Sequence, residues 1–257
     1  MKFKENKNPN KKINVSVETV GSTRKVDLKA INTELLNNDA TYTRVKYDPV
    51  VIDGAKFEVT KLLKNKNVFD HFIHSIETLE FNEVTKQFKF TSKKGEYEFD
   101  TVNNKLRLNG RVKSTNRKCR NEEHEGFNYD AYGKQNNILL YRLAAILHEI
   151  VDKGVIRTTY NNVVINHTRN DSSTESQNSL DLNTLEITNG SRNTKHGRIW
   201  NYINRNSAFR MKTDFLSTNE EFMEYIESFI ENGDMISEQD LLNVGAVLDA
   251  RGCYVIR

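Results

Sequence analysis

Apolar residues in this chain come in short runs broken by polar ones, and that spacing limits what it can fold into. "KQFKF" and "EYEF" alternate on either side of Gly95, the period of two that sends side chains to opposite faces of a strand. "YNNVVIN" and "LNTLEIT" are β-rich, brief and bounded by polar residues. Around "NVFDHFIHSIETL" the spacing changes, and Phe69, Phe72, Ile73, Ile76 and Leu79 form one helical stripe. "INVSV" adds a further extended segment. No run approaches the roughly 18 consecutive apolar residues of a membrane helix. The N-terminus, MKFKENKNPNKK, lacks the apolar core of a secretory signal. The pattern predicts an α+β fold, with no membrane partner and a cytoplasmic location.

At 257 residues there is room for one large domain or two small ones. Cys119 and Cys253 are too few for a disulfide framework and too far apart in sequence to form a zinc-ligand pair. The net charge of +3 hides an uneven distribution. Residues 206–257 hold ten acidic side chains against four basic ones, so the basic excess lies in the rest of the chain. A basic body with an acidic end suits a nucleic-acid binder with an appendage, and equally two solvated faces of opposite sign. The chain divides into a basic disordered arm at 1–12, a mixed α/β region at 13–94, a central part at 95–205 and an acidic tail at 206–257. The tail reads as two amphipathic helices. Thr218 and Glu221 would form a capping box and Phe222, Ile226, Phe229 and Ile230 a stripe, with Gly233 as C-cap. The second helix would start near Ser237, bury Leu241 and Leu248, and end by Gly252.

The central part holds the chemistry. "VVINH" (163–167) ends a strand in Asn166 and His167, and "LEIT" (185–188) precedes a helical stretch with Ser191 as N-cap and Ile199, Trp200 and Ile203 as anchors. Two antiparallel strands and a helix would bring Asn166 and His167 against Asn193 and His196, which share a helix face at a spacing of three. Phosphodiester cleavage needs a base for a nucleophilic water and positive charge on the oxygens that develop charge. A neutral imidazole suits the first need, and a divalent ion on an Asn oxygen and an imidazole nitrogen suits the second. Upstream, "KLRLNGRVKSTNRKCR" carries Lys105, Arg107, Arg111, Lys113, Arg117, Lys118 and Arg120 with no acid. It suits a phosphate backbone, or a solvated edge that discourages aggregation. Asn109-Gly110 signals a turn. A strict two-residue hairpin there would set Leu108 opposite Arg111 and mix apolar and basic faces, which argues against that register. His71 and His74 lie three apart without a third ligand, and favour packing or exposure over metal binding. His124 and His148 have no nameable partner.

"VVINH…NTLEITNGSRNTKHGR" resembles the HNH endonucleases of phages and mobile introns, homing endonucleases among them. Their ββα-metal core reads "NH" or "DH", then "NLEWVT", then "ENxKH". "ILLYRLAAIL" is similar to the "VHRLVA" helix that precedes the core, and "YEFDTVNNKLRLNGRVKS" to the "YEVSNxGRVRS" module often attached to it. The resemblance covers roughly residues 96–205 and implies a ββα-metal nuclease core that cuts DNA. Abundant Asn and Lys fit the AT-rich coding of a phage or its bacterial host. By position, His167 would be the general base, Asn166 and His196 the ligands of one Mg2+ or Mn2+ ion, and Asn193, Lys195 and Arg198 phosphate contacts. The family's middle Asn, thought to brace the loop around the base, falls at Thr184; Asn183, one residue earlier, is the expected substitute. The 168–182 link is longer than usual, and Tyr141 stands where the upstream helix usually has His. The alternative is an HNH-derived scaffold that binds DNA or, through the acidic helices, a protein, without cutting.

Overall fold

In this computed structural model the described residues are 10–37, 42–46, 50–53, 55–57, 60–64, 67–113, 116–117, 125–131, 134–161, 163–168, 180–206, 212–250 and 252–256. The fold is mixed α+β, with mostly antiparallel sheets and, among the described residues, six α-helices. Two compact units divide the chain. Unit 1 comprises residues 1–115, 127–138 and 147–161, and unit 2 residues 116–126, 139–146 and 162–257. The division expected at residue 94 falls instead inside a hairpin of unit 1. No helix among the described residues is long and apolar enough to cross a membrane.

In unit 1, β1 (Lys12–Asn14) is followed by β2 (Glu18–Val20), β3 (Thr23–Asp27) and α1 (Lys29–Asn37). Two ribbons come next, β4 (Tyr42–Lys46) with β7 (Thr60–Lys64), and β5 (Val50–Ile52) with β6 (Ala55–Phe57). After α2 (Val68–His74) run β8 (Ile76–Asn82), β9 (Gln87–Ser92), β10 (Gly95–Asp100), β11 (Lys105–Leu108) and β12 (Arg111–Val112). They join β3 and β2 in an antiparallel sheet of order β12-β11-β10-β9-β8-β3-β2. One face is aromatic: Phe81 stacks on Phe88 at 4.4 Å and Phe90 on Tyr97 at 4.8 Å. Phe72 of α2 meets Phe90, Tyr97 and Phe127 edge-on, so α2 covers that face. On the opposite face the register aligns Lys25, Glu80, Lys89, Glu98 and Arg107 in one row of alternating sign. Such cross-strand pairs stabilise a sheet modestly while keeping its face solvated.

Three expectations need correction here. The helix at 68 ends at His74, with Ser75 as its C-cap, and Ile76 and Leu79 belong to β8. Both are buried three residues apart because a bulge between Ile76 and Thr78 shifts the strand's alternation, which imitates a helical stripe. The Asn109-Gly110 turn does set Leu108 opposite Arg111. Both turn residues take positive φ, 50° and 75°, as a tight twisted turn requires. The mixed register is tolerated because β12 is a two-residue edge strand where Leu108 is only half-buried. Of the N-terminal arm, residues 1–9 lie outside the described residues, but Lys12 pairs with Arg157 of β16 (Val155–Arg157).

β13 (Asn116–Arg117), β14 (Glu125–Ala131) and β15 (Lys134–Leu139) form a three-stranded sheet. Helix α3 (Leu140–Lys153) begins in unit 2 and ends in unit 1. Unit 2 continues with the antiparallel pair β17 (Val164–His167) and β18 (Leu185–Thr188), then α4 (Gly190–Asn206). β19 (Lys212–Phe215), α5 (Glu220–Asn232), α6 (Glu238–Asn243), β20 (Val247–Leu248) and β21 (Cys253–Ile256) complete it. The tail is therefore not purely helical, since β19, β21 and β20 form a sheet. Leu241 is buried as expected, but Leu248 is 52% exposed, because the chain leaves the helix at Val244 and turns through Gly245 at φ 83°. The cap of α5 is Asn219, which accepts from the Phe222 backbone, and Gly233 ends that helix at φ 72°.

Unit 1 also buries an ion pair, Arg157 Nε and Nη2 donating to the two Glu149 oxygens at 3.0 and 2.6 Å. Removing one partner leaves an uncompensated charge, so Arg157→Met should lower the unfolding free energy by about 3–5 kcal/mol. Adding Glu149→Met to that chain should recover most of it. Urea denaturation of both variants decides the point; a double variant that loses as much as Arg157→Met or more would mean that the uncompensated Glu149 charge is not what costs stability.

Candidate functional site

β17 begins beside buried Val163, buries Ile165, and ends in Asn166 and His167. A 3-10 turn at Leu182–Thr184, N-capped by Asp181, leads into β18. The register sets His167 opposite Leu185 and Asn166 opposite Glu186. Directly opposed residues share a face, and Asn166 Nδ2 donates to Glu186 Oε2 at 3.0 Å. After β18 the cap of α4 is Asn189, accepting from the Arg192 backbone at 3.0 Å, rather than Ser191. On α4, His196, Ile199 and Ile203 share one buried stripe. The two isoleucines enter a core with Phe215, Phe222, Met223, Ile226 and Leu241, so the C-terminal segment fixes the helix that carries His196.

Burial determines the state of His196, which is 1% exposed and stacked at a tilt on Phe215, 4.3 Å between ring centres. Its Nε2 lies 2.9 Å from the Phe215 carbonyl oxygen, which can only accept. Nε2 therefore carries the proton, and in the neutral ring the lone pair is on Nδ1. Desolvation pushes this histidine below its ordinary 6.5, while the Phe215 carbonyl, Glu186 and Asp214 oppose the shift. His167 is half-buried beside Tyr141, 5.1 Å between ring centres.

Glu186, 9% exposed, was not among the expected site residues. Its carboxylate accepts four hydrogen bonds: from Asn166 Nδ2, from Ser217 N at 2.8 Å, and from Thr218 N and Oγ1 at 3.2 and 3.1 Å. An acid inside an apolar strand, opposite an Asn in the expected hairpin, was the signal that could have found it. Asp214, 1% exposed on β19, was likewise counted only as a tail acid. Thr218, the expected helix cap, has its hydroxyl on Glu186, which explains why Asn219 caps α5 instead.

Not every expected site residue is brought together. Asn183 is exposed, and its Nδ2 donates to Asp181 Oδ1 at 3.1 Å. The chain after His167 is tied by Thr184, whose carbonyl accepts from Thr168 N at 2.9 Å. The link after His167 is thus to the Thr184 backbone, while the Asn183 side chain meets Asp181. Asn193 lies half-buried on α4, one turn before His196. Lys195 pairs with Glu227 at 2.8 Å, Arg198 bonds the same carboxylate, and Arg192 reaches Glu220 at 2.9 Å. The acidic face of α5 thus neutralises the basic face of α4. Lys105, Arg107, Arg111 and Lys113 belong to unit 1, where Arg107 faces Glu98 and Lys105 lies opposite Asp100. Arg117 is in β13, while Lys118 and Arg120, with Cys119 and His124, lie outside the described residues.

As donors, Asn166 and His196 fit a divalent ion. The Asn166 amide is oriented by Glu186, which leaves Oδ1 as its acceptor. A neutral imidazole with its other nitrogen on a backbone carbonyl matches the outer-shell support typical of metal-binding histidines. Among the described residues no group of three or more His, Cys, Asp or Glu could hold a metal, so an ion here would depend on this Asn–His pair and on substrate and water oxygens. No protein-family model, no curated protein and no solved structure matches the chain.

A pH dependence follows. The folded state holds His196 below the ordinary 6.5, so in acid the unfolded chain takes up the proton first. The stability of its neutral form is fully present above about pH 6.5 and is lost as the pH falls toward the folded value. Buried His74 and half-buried His148 are shifted in the same direction. Thermal denaturation between about pH 8 and about pH 5 should show Tm falling below about 6.5. His196→Gln, which keeps an N–H for the Phe215 carbonyl, should flatten part of that fall; an unchanged slope would exclude His196 as a contributor.

Proposed function

We propose that this chain is a metal-dependent DNA endonuclease of the HNH type, phage- or mobile-element-encoded, that hydrolyses phosphodiester bonds. The observation that carries this reading is that one hairpin and the helix after it hold Asn166, oriented by Glu186, and His196, whose Nε2 donates to the Phe215 carbonyl. His167, next to Asn166 on β17, takes the proton from the attacking water. Tyr141 packs beside its ring and restricts its orientation. Asn166 Oδ1 and His196 Nδ1 would hold one Mg2+ or Mn2+ ion. When bound, the ion supplies positive charge against the phosphate oxygens. Glu186 keeps the Asn166 amide turned the right way, and Asn193 contacts the phosphate one helical turn away.

A second reading has its own support. Glu227 neutralises Lys195 and Arg198, and Asn183 stands apart from the base, as a binding scaffold that does not cut would allow. On α5, Glu221, Glu224 and Glu231 are exposed and would present an acidic surface to a protein partner.

Plasmid nicking with Mg2+, Mn2+ or EDTA, on wild type and His167→Ala, separates the two. The nuclease requires nicking that depends on metal and falls at least about a hundred-fold in the variant. Wild type that never nicks, yet binds DNA with a steep salt dependence, establishes the scaffold. Glu227→Gln releases two cations under either reading. DNA affinity at low salt should rise, and the slope of log K against log salt should steepen by about one to two. Unchanged binding would remove α4 from the footprint.

A further inference from the structure

Unit 1 holds a cavity of about 190 Å³ that the nuclease reading does not use. It lies among α1, the end of α2, the start of β8, the β9–β10 turn and Tyr129 of β14. Its inner wall contains Asn32, 2% exposed. The Asn32 amide nitrogen donates to the Ile73 and Ile76 carbonyls at 3.2 and 2.7 Å, closing the end of α2. Those two bonds fix which way the amide points, and Oδ1 is left buried with no hydrogen-bond partner. Buried acceptors in folded proteins are nearly always paired, so such an atom on a residue that lines the cavity calls for a donor.

Charge around the cavity is one-sided. Lys29 of α1 and Lys93 and Lys94 of the turn stand against a single carboxylate, Glu77 of β8, a surplus of two positive charges. Lys94 is fixed in place, 3.8 Å over the Tyr129 ring with its ammonium donating to the Asp130 carbonyl. His71, bonded to the Tyr129 hydroxyl at 3.2 Å, is held below its ordinary 6.5 by burial, and by Lys94 and His74 after that. A phosphate monoester carries about −1.5 to −2 at pH 7, which matches the surplus.

We propose that this cavity binds the phosphate monoester of a small molecule that also bears an N–H or O–H donor, a nucleoside 5′-monophosphate being the simplest case. The phosphate sits at the mouth on Lys29, Lys93 and Lys94, and the donor reaches Asn32 Oδ1. Most ligand clefts measure about 300–1,000 Å³, so this one takes the donor-bearing end rather than the whole molecule. The nucleotide comes either free or as the 5′-phosphorylated end of a strand.

Heteronuclear NMR on the full chain tests this with GMP, inorganic phosphate and a short single-stranded oligonucleotide bearing a 5′-phosphate. GMP should shift the Asn32 side-chain amide and the Lys94 backbone amide, and bind at least about ten-fold more tightly than phosphate. Lys29 and Lys93 are exposed, so the double variant Lys29→Gln/Lys93→Gln should keep the wild-type Tm while losing about ten-fold in GMP affinity. If the oligonucleotide shifts the same resonances, the source is a strand; if only GMP does, it is a free nucleotide. No shift with either, GMP binding no tighter than phosphate, or full affinity in the double variant overturns the proposal. None of these readouts depends on cleavage.

Discussion

Glu186 has a carboxylate that unit 2 buries only because four donors meet it, and the candidate site is arranged by how those donors arrive. One comes from Asn166 across the hairpin, and the other three from Ser217 and Thr218, just past β19. Burying an ionised carboxylate without such bonds is far more costly than any single contact around it is favourable. The hairpin and the C-terminal segment are therefore tied at the point where Asn166 is oriented. A slip of one residue between β17 and β18 would part Glu186 from Asn166 and leave the buried Asn166 amide without that acceptor.

The same segment completes the site from a second direction. Phe215 supplies the carbonyl that sets the His196 tautomer and the ring on which the imidazole packs. Ile199 and Ile203, on the stripe of His196, enter the core closed by α5 and α6. Residues 206–257 are thus part of what builds the site. Their acidity has a local counterpart as well, since Glu220 and Glu227 balance the exposed basic face of α4.

What could be seen in the sequence follows from how local each feature is. The β9–β10 hairpin, the β17–β18 strands, α4 and the α5 stop at Gly233 rest on alternation, helical spacing or one glycine, all visible within a few residues. The errors arise where a distant partner decides. Ile76 and Leu79 imitate a helix because a bulge resets the strand. Thr218 fails as a cap because Glu186, 32 residues away, takes its hydroxyl. The Leu108–Arg111 register, unfavourable on local grounds, is acceptable at a sheet edge whose position depends on six other strands. At the site, Asn166, His167, Asn193 and His196 were legible as a spacing. Glu186 and Asp214 were not, because an acid's burial depends on partners that only the tertiary fold supplies.

His71 and His196 show why that difference matters for chemistry. Both are held below the ordinary histidine value, and in both burial is the largest cause. Their neighbours act in opposite directions: Lys94 and His74 press His71 further down, while Glu186 and Asp214 pull His196 back up. An imidazole among carboxylates is neutral in a field that attracts a cation. One beside the Lys94 ammonium is neutral next to a positive charge that attracts an anion. The shift alone would rank the two as equivalent, and the sign of the surrounding charge is what tells them apart; the ion proposed for unit 2 and the phosphate proposed for unit 1 both rest on that sign.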